Sequence, residues 1–327
     1  MNTQNHVLII IGPTASGKTD LALKIGESLP IEIINADVGQ FYTPCSIGTA
    51  KPAWKNLSVP HHLFDILDSP QDLNVAEYRK TVIEKVDEIS KRGKLPVIVG
   101  GSLFYVKSLF FPPQEFLQEI MVNGYEGVLT ADLWNQLHEV DSQRADKLHH
   151  NDRYRIARAL NLWDATNVKP SEYEPLFNAP FNALIVVVKP KRESLFDTIN
   201  KRTNRMIGEN PLVGWLDEAR RLLGTPWESF LNQKKLVGYD TIFAWLRSGE
   251  NAADLPSLVE TIQNETRQYA KRQMTFYGSF KKALREPAVV KTKQCSVREI
   301  VVINAEVTKR LIHDVAARFA VIRQNKN

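Results

Sequence analysis

The sequence predicts an α/β protein, a parallel sheet with helices on both faces that carries a helical insertion. Three observations predict it. Short β-branched runs at Val7–Ile11, Ile31–Ala36, Leu95–Val99 and Ala183–Val188 read as buried strands, since strands covered on both faces are apolar throughout rather than alternating. The stretches joining the first three carry helical periodicity, and strand–helix–strand units of this length imply parallel crossovers. Between about Pro112 and Pro180 the strand signal disappears and only helical segments remain.

Taken in order, Val7–Ile11 runs into the glycine-rich stretch Gly12–Thr19, and Asp20–Leu29 then places Leu21, Leu23 and Ile25 for a helix. Ile31–Ala36 is the second strand and ends at Asp37. Val75–Lys91 repeats Val75, Tyr78, Val82, Val86 and Ile89 in helical period until Gly93 breaks it. Leu95–Val99 follows and delivers Gly100 and Gly101. Ala131–His138 and Asp152–Asp164 are the helical segments of the insertion, after which Ala183–Val188 resumes the sheet. Helices are expected around Ser194–Met206 and Trp215–Leu223, with a long one near Leu258–Tyr277 that Gly278 is placed to interrupt. A last strand at Ile300–Asn304, a last helix at Val307–Ile322 and a frayed tail from Arg323 complete the chain. The expected division is 1–112 for the first part of the core, 113–180 for the insertion, and 181–327 for the completion of the core with basic C-terminal helices.

Composition narrows the class. The 327 residues are 43% hydrophobic and 24% charged, the balance of a globular chain of about two domains. Cys45 and Cys295 stand far apart, so no disulfide framework or Cys-x-x-Cys pair exists, and a reducing, cytoplasmic setting is expected. No apolar run approaches the ~18–20 residues of a membrane span, and the polar start Met1–His6 is not expected to be a signal or transit peptide. No segment calls for a membrane or an obligate protein partner, and a monomer is the expectation.

Gly12, Pro13, Thr14, Ala15, Ser16, Gly17, Lys18 and Thr19 fit G-x-x-x-x-G-K-[ST], with a strand before and a helix after. The two outer glycines let the loop wrap so that successive N–H groups face phosphate oxygens, and the helix start adds its dipole. Lys18 supplies a charge and the Thr19 hydroxyl can ligate Mg²⁺. The core is therefore P-loop NTPase-like, and its ligand carries a diphosphate or triphosphate. Asp37 closes the second strand on the carboxyl edge of the sheet, where α/β ligands bind. Two roles stay open for it, a Mg²⁺ ligand or a general base beside the phosphates. Ser102 arrives at the same edge after Gly100 and Gly101, as a phosphate-site hydroxyl or a helix N-cap. Adjacent His61 and His62, with Asp65, show no three-ligand metal geometry, and structural roles are expected for them.

Between Arg267 and Arg285 there are six basic residues (Arg267, Lys271, Arg272, Lys281, Lys282, Arg285) and no acidic one. On a helix, Arg267, Lys271, Lys282 and Arg285 fall within about 60° of one another, with Tyr269, Phe276 and Phe280 opposite. A phosphate backbone is the natural partner of such a face. Arg153, Arg155 and Arg158 form a second cluster, and Arg192, Lys201, Arg202 and Arg205 a third; guanidinium groups suit diphosphate recognition.

From Val7 to Phe280 the chain resembles the tRNA dimethylallyltransferases, the tRNA isopentenyltransferase family. The resemblance rests on an ordered series: the Gly12–Thr19 loop, Asp37 with Gln40 and Tyr42, Ile47–Pro52, Pro60–Leu63 with Asp65, Val99–Ser102 with Tyr105, Asn151 and Asp152 with Arg155, Arg158–Leu160, Val237–Tyr239, and Thr266–Gln273. It implies transfer of a dimethylallyl group from dimethylallyl diphosphate to N6 of the adenosine 3′ to a tRNA anticodon. By the same resemblance Lys18, Ser102, Arg202 and Asp37 are the catalytic group: Lys18, Mg²⁺ at Thr19 and Arg202 neutralise the departing diphosphate, and Asp37 is the general base. The implied tRNA contacts are Asp37, Val38, Gly39 and Gln40; Ser102; Tyr154, Arg155, Ile156, Ala157 and Arg158; Lys235, Leu236, Val237, Gly238, Tyr239 and Asp240; and Arg267, Lys271, Arg272, Gln273 and Phe276. Val38, His150 and Thr198 depart from the family's usual Ser, Pro and Arg. The stretch between about Phe111 and Leu137 is shorter than typical, and extra residues stand around Gly208–Pro211. Three other readings are a small-molecule P-loop kinase with Asp37 as base, a prenyltransferase of free adenine nucleotides, and an RNA-binding protein with the same fold. The first leaves the basic stripe unexplained, the second does not need it, and the third rests only on the departures.

Overall fold

The computed structural model describes residues 5–113, 124–173, 176–208 and 214–324. Glu209–Pro211 of the expected extra residues, part of the shortened stretch after Phe111, and the last residues of the tail lie outside these. The chain divides into two compact units, Met1–Lys107 with Ala179–Asn327, and Ser108–Asn178.

The first unit is built on six strands: β1 (His6–Ile11), β2 (Ile31–Asn35), β3 (His61–His62), β4 (Leu95–Gly100), β5 (Asn182–Val188) and β6 (Cys295–Ile300). They lie in the order β3-β2-β4-β1-β5-β6, and every pair is parallel. Leu8 pairs with Val97 on one side and Leu184 on the other, so the most apolar strand is central. One face, with Leu8, Ile10, Ile33, Val97 and Val186, packs on α1 (Lys18–Gly26) and a C-terminal helix through Leu311 and Val315. The alternate set Ile9, Ile11, Ile34, Ile98, Ile185 and Val187 is buried as completely. Both faces are thus covered, which is why these strands lack polar alternation. Helix α2 (Val75–Lys91) turns Tyr78, Val82, Val86 and Ile89 inward and starts at a capping box formed by Asn74 and Glu77. At the strand edge, Glu32 is 2% exposed and receives two bonds from Arg92 and one from His62, with Lys94 at 3.0 Å. Burial alone would raise its pKa; these cations hold it at about 2.

Helix α3 (Leu103–Phe110) follows β4. The second unit then folds around α4 (Thr130–Val140), α5 (Ser142–Ala145) and α6 (Arg153–Thr166), whose Leu133, Leu137, Ile156, Ala157 and Leu160 share one core. Asp141 caps α5 from a buried position and also accepts the Ser171 N–H.

Back in the first unit come α7 (Arg192–Gly208), α8 (Trp215–Leu222), α9 (Pro226–Lys234), α10 (Tyr239–Arg247), α11 (Leu255–Leu284), α12 (Pro287–Thr292) and α13 (Ala305–Gln324). Two expectations need correction. Gly278 does not break the long helix, which runs unbroken for 30 residues because Tyr277, Phe280 and Leu284 continue its buried face past the glycine. The last strand is Cys295–Ile300, not Ile300–Asn304. It lies at the sheet's edge, where a strand half open to solvent alternates, while Val301 and Val302 are exposed at 51% and 53%. No helix among the described residues is long and apolar enough to cross a membrane.

Candidate active site

The carboxyl ends of β1, β2 and β4 deliver three loops to one edge of the sheet. After β1, the loop folds back tightly: a Cβ on Gly12 would lie 2.3 Å from the Val188 carbonyl oxygen, so only glycine fits there. Gly17, at φ 82°, precedes α1 in the left-handed region, and Lys18 opens the helix. The Lys18 ammonium is 9% exposed as a residue and donates to the Pro13 carbonyl at 2.7 Å. After β2, Asn35 is fully buried and accepts the Asp37 N–H at 2.9 Å, while its amide donates to the Leu63 carbonyl at 3.0 Å. That brace fixes the turn on which Asp37 sits.

Arg202 of α7 completes the cluster by donating to the Thr14 hydroxyl at 2.6 Å. Burial pushes the Asp37 carboxyl up from its ordinary value, against Lys18, Arg202 and the N–H groups of Gly101 and Gly39. Burial also lowers the Lys18 ammonium to about 8, with Asp37 opposing and Arg202 assisting that change. Arg202 is lowered for the same first reason.

Two cavities meet at this cluster. One, of about 280 Å³, is lined by Thr14–Thr19 with Arg202, Arg205 and Asp37. The other, of about 390 Å³, is lined by Asp37, Val38, Gly39, Ser102, Lys235, Leu236, Val237, Arg272, Gln273 and Phe276 among the expected residues. Thr14, Asp37 and Arg202 border both. The first is polar and cationic; the second is walled by Leu103, Phe104, Met206, Trp215 and Tyr269 as well.

The remaining expected residues fall elsewhere. Gln40 borders the phosphate cavity and donates to the carbonyls of Thr49 and Ala50. The Ser102 hydroxyl accepts the Val38 N–H at 2.9 Å and lines the cleft rather than the phosphate cavity, so it braces the chain after Asp37. Gly238 and Tyr239 are buried, and the Tyr239 hydroxyl donates to Glu218 at 2.7 Å. Asp240 is exposed. Arg267 bonds Asn200 at 2.5 Å, and both Arg267 and Lys271 stand over the Phe196 ring of α7. In the second unit Tyr154 and Arg155 are exposed and Arg158 is half-buried, while the side chains of Ile156 and Ala157 belong to that unit's core. His61 bonds the Val59 carbonyl and His62 bonds Glu32, while Asp65 takes Lys51 and the Trp54 indole.

Sequence reasoning missed Glu218. Its carboxylate, 3% exposed, accepts the N–H groups of Ser46, Ile47 and Gly48 at 2.7, 2.6 and 3.0 Å besides the Tyr239 hydroxyl. Nothing in an acid on a helical period marks it for that duty. Trp215, in the cleft wall, was legible only as a helix start.

A cation fits the phosphate side. Thr19 borders that cavity, the buried Ser16 hydroxyl beside it has no protein partner, and no group of three or more His, Cys, Asp or Glu among the described residues could hold a metal alone. That donor set suits Mg²⁺ held largely by substrate phosphates, which needs one or two protein oxygens.

The family model described as IPP transferase matches residues 40–280. The tRNA dimethylallyltransferase of Geobacter sulfurreducens is 34% identical over 285 residues, covering 84% of this chain and 89% of that protein. That of Thermotoga neapolitana is 35% identical over 283 residues, covering 84% and 90%. Among solved structures, the full-length tRNA isopentenylpyrophosphate transferase of Bacillus halodurans aligns with a TM-score of 0.62 at 24% identity, over 99% of both chains. A eukaryotic dimethylallyltransferase acting on tRNA gives 0.67 at 23% identity, over 91% of this chain and 74% of that one. The two structures share the fold, and the family model and the curated relatives together establish that this chain belongs to the IPP transferase family.

Proposed function

We propose that the protein transfers a dimethylallyl group from dimethylallyl diphosphate to N6 of the adenosine 3′-adjacent to the anticodon in tRNA. The observation that carries this reading is the position of Asp37, at the seam between a cationic phosphate cavity and an apolar, aromatic cleft. The diphosphate rests on the Ala15–Thr19 N–H groups with Lys18 and Arg202. The cleft takes the prenyl chain and the purine, which leaves its stack to reach a site this deep. As the C1–O bond breaks, the new C1–N6 bond forms and the N6 proton passes to the Asp37 carboxylate; inorganic diphosphate departs with the bonding pair. The Thr19 hydroxyl would hold Mg²⁺ together with the diphosphate, and the cation would supply charge neutralisation to the leaving group.

The names of the curated relatives support tRNA as acceptor. Incubation with dimethylallyl diphosphate, Mg²⁺ and unmodified tRNA, followed by nucleoside mass analysis, is expected to yield N6-prenyl adenosine. AMP and free adenosine run beside it as acceptors. Product from these and none from tRNA would make the protein an adenine-nucleotide prenyltransferase; phosphorylated product from ATP with a small acceptor would make it a kinase.

A further inference from the structure

The resemblance makes Gln273 a tRNA contact; the structure places it in the cleft wall with its amide turned to the main chain of two loops. The residue is 5% exposed. Its Oε1 accepts the Thr14 N–H at 2.8 Å and its Nε2 donates to the Gly101 carbonyl at 2.9 Å. Both partners are main-chain groups of fixed polarity, so a single orientation of the amide satisfies them. One side chain thereby joins the loop after β1 to the loop after β4.

Each loop holds one charged group of the site. The Thr14 hydroxyl takes the bond from Arg202 at 2.6 Å, and Gly101 lies against the Asp37 carboxylate, its N–H favouring the ionised form. The packing is close: a Cβ on Gly101 would lie 2.4 Å from Gln273 Nε2 and 3.4 Å from Asp37 Oδ2. From these contacts we infer that Gln273 is a positioning residue for the transfer, setting Thr14 with Arg202 against Gly101 with Asp37. The distance between leaving group and base is then fixed by one buried amide. Misplacement on the scale of 1 Å costs a reaction of this kind about a hundredfold. The inference rests on the reading of Asp37 as base.

Two variants test it. Gln273→Met keeps the volume and removes both bonds, whereas Gln273→Glu keeps the shape and the acceptor but sets a carboxylate against the Gly101 carbonyl. Both are expected to stay folded and to bind tRNA within about twofold of wild type. Their kcat at saturating substrates falls by about ten- to hundredfold, the range for lost supporting partners. In the Met variant the acid limb of kcat also moves to higher pH, because a loosened Gly101 N–H favours the ionised carboxyl less. The other groups facing Asp37 are Lys18 of α1, Tyr78 of α2, Arg202 of α7 and Tyr269 of α11. Arg202 loosens together with Thr14 and moves the limb in the same direction, and Tyr269, which also faces the Gln273 side chain, loses that neighbour's amide. An unchanged kcat with tRNA affinity weakened tenfold or more would make Gln273 an RNA contact and overturn the inference. So would an unmoved acid limb with only a lowered melting temperature. If wild type forms no prenylated adenosine, the functional reading falls, and titration with Mg²⁺ and inorganic diphosphate decides alone: several-fold weaker binding by the Met variant supports the clamp, and equal binding removes it.

Discussion

Asp37 and Lys18 share one buried pocket, and burial moves their pKa values toward each other, the acid up and the base down. The direction of each has a kinetic consequence. With Asp37 as the proposed base, transfer needs it ionised, so turnover is expected to fall as pH drops through a pKa that lies above the ordinary aspartate value of 3.8. Phosphate binding needs Lys18 protonated, and in the free protein its proton leaves as pH rises past about 8. A bound diphosphate restores that proton. The expected profile is therefore a kcat/KM for the donor that declines above about pH 8 with a kcat that does not. Asp37→Asn should lower turnover by about 10²–10⁴ while diphosphate and tRNA still bind; normal turnover by that variant would remove the base assignment. The residues of this pocket were legible because a phosphate loop and a strand-end carboxylate are local patterns. Even so, strand position alone left Asp37 between metal ligand and base; the resemblance implied the base, and the structure places the carboxyl beside both cations and both cavities. Gln273 and Glu218 were illegible in these roles for a plain reason: their main-chain partners lie 172 and 259 positions from Gln273 and 170 to 172 from Glu218, and no spacing records a contact of that kind.

Among the elements, buried strands and the α2 and α6 helices stand almost where periodicity puts them, since one dominant burial pattern governs each. The misses share a cause. Strand β6 alternates in burial because its outer side has no partner, and a search for continuous apolar runs moves it onward to the exposed Val301 and Val302. Helices α9 and α10, nine residues each, are too short for periodicity to speak, although the Thr225 cap with Pro226 behind it was a readable start signal. Helix α11 overrides its glycine by packing on both sides of it. Gly278 is exposed, a Cβ there would meet nothing within 4 Å, and its φ is not among the positive ones. Gly278→Ala should therefore stabilise the protein by about 0.5–1 kcal/mol through helix propensity alone. Thermal unfolding measures it. A fall in melting temperature would mean the bare backbone at Gly278 serves a contact that the propensity argument leaves out.

For the whole molecule, a net charge of +5 is too small to explain RNA affinity, so what matters is which cations are left to meet phosphate. The stripe on α11 is not uniform in this respect. Arg267 is tied to Asn200 and Asn264, and Lys281 is paired with Glu299 at 2.6 Å, so both are already committed to the fold. Arg272 is exposed, stands over the Tyr269 ring and borders the cleft. Binding that neutralises phosphates releases counterions, and each lost contact lowers the slope of log K against log salt by about 0.7–1. Arg272→Gln should reduce the salt slope of tRNA binding by that amount and weaken binding to all tRNA sequences alike. Lys281→Gln should leave the slope where it is and show its effect in thermal stability, through the Glu299 pair at the sheet's edge strand. The measurement is a pair of tRNA titrations across salt for each variant. Equal slopes for Arg272→Gln and wild type would move the phosphate contact off the cleft rim, and a reduced slope for Lys281→Gln would mean that its carboxylate pair opens for RNA.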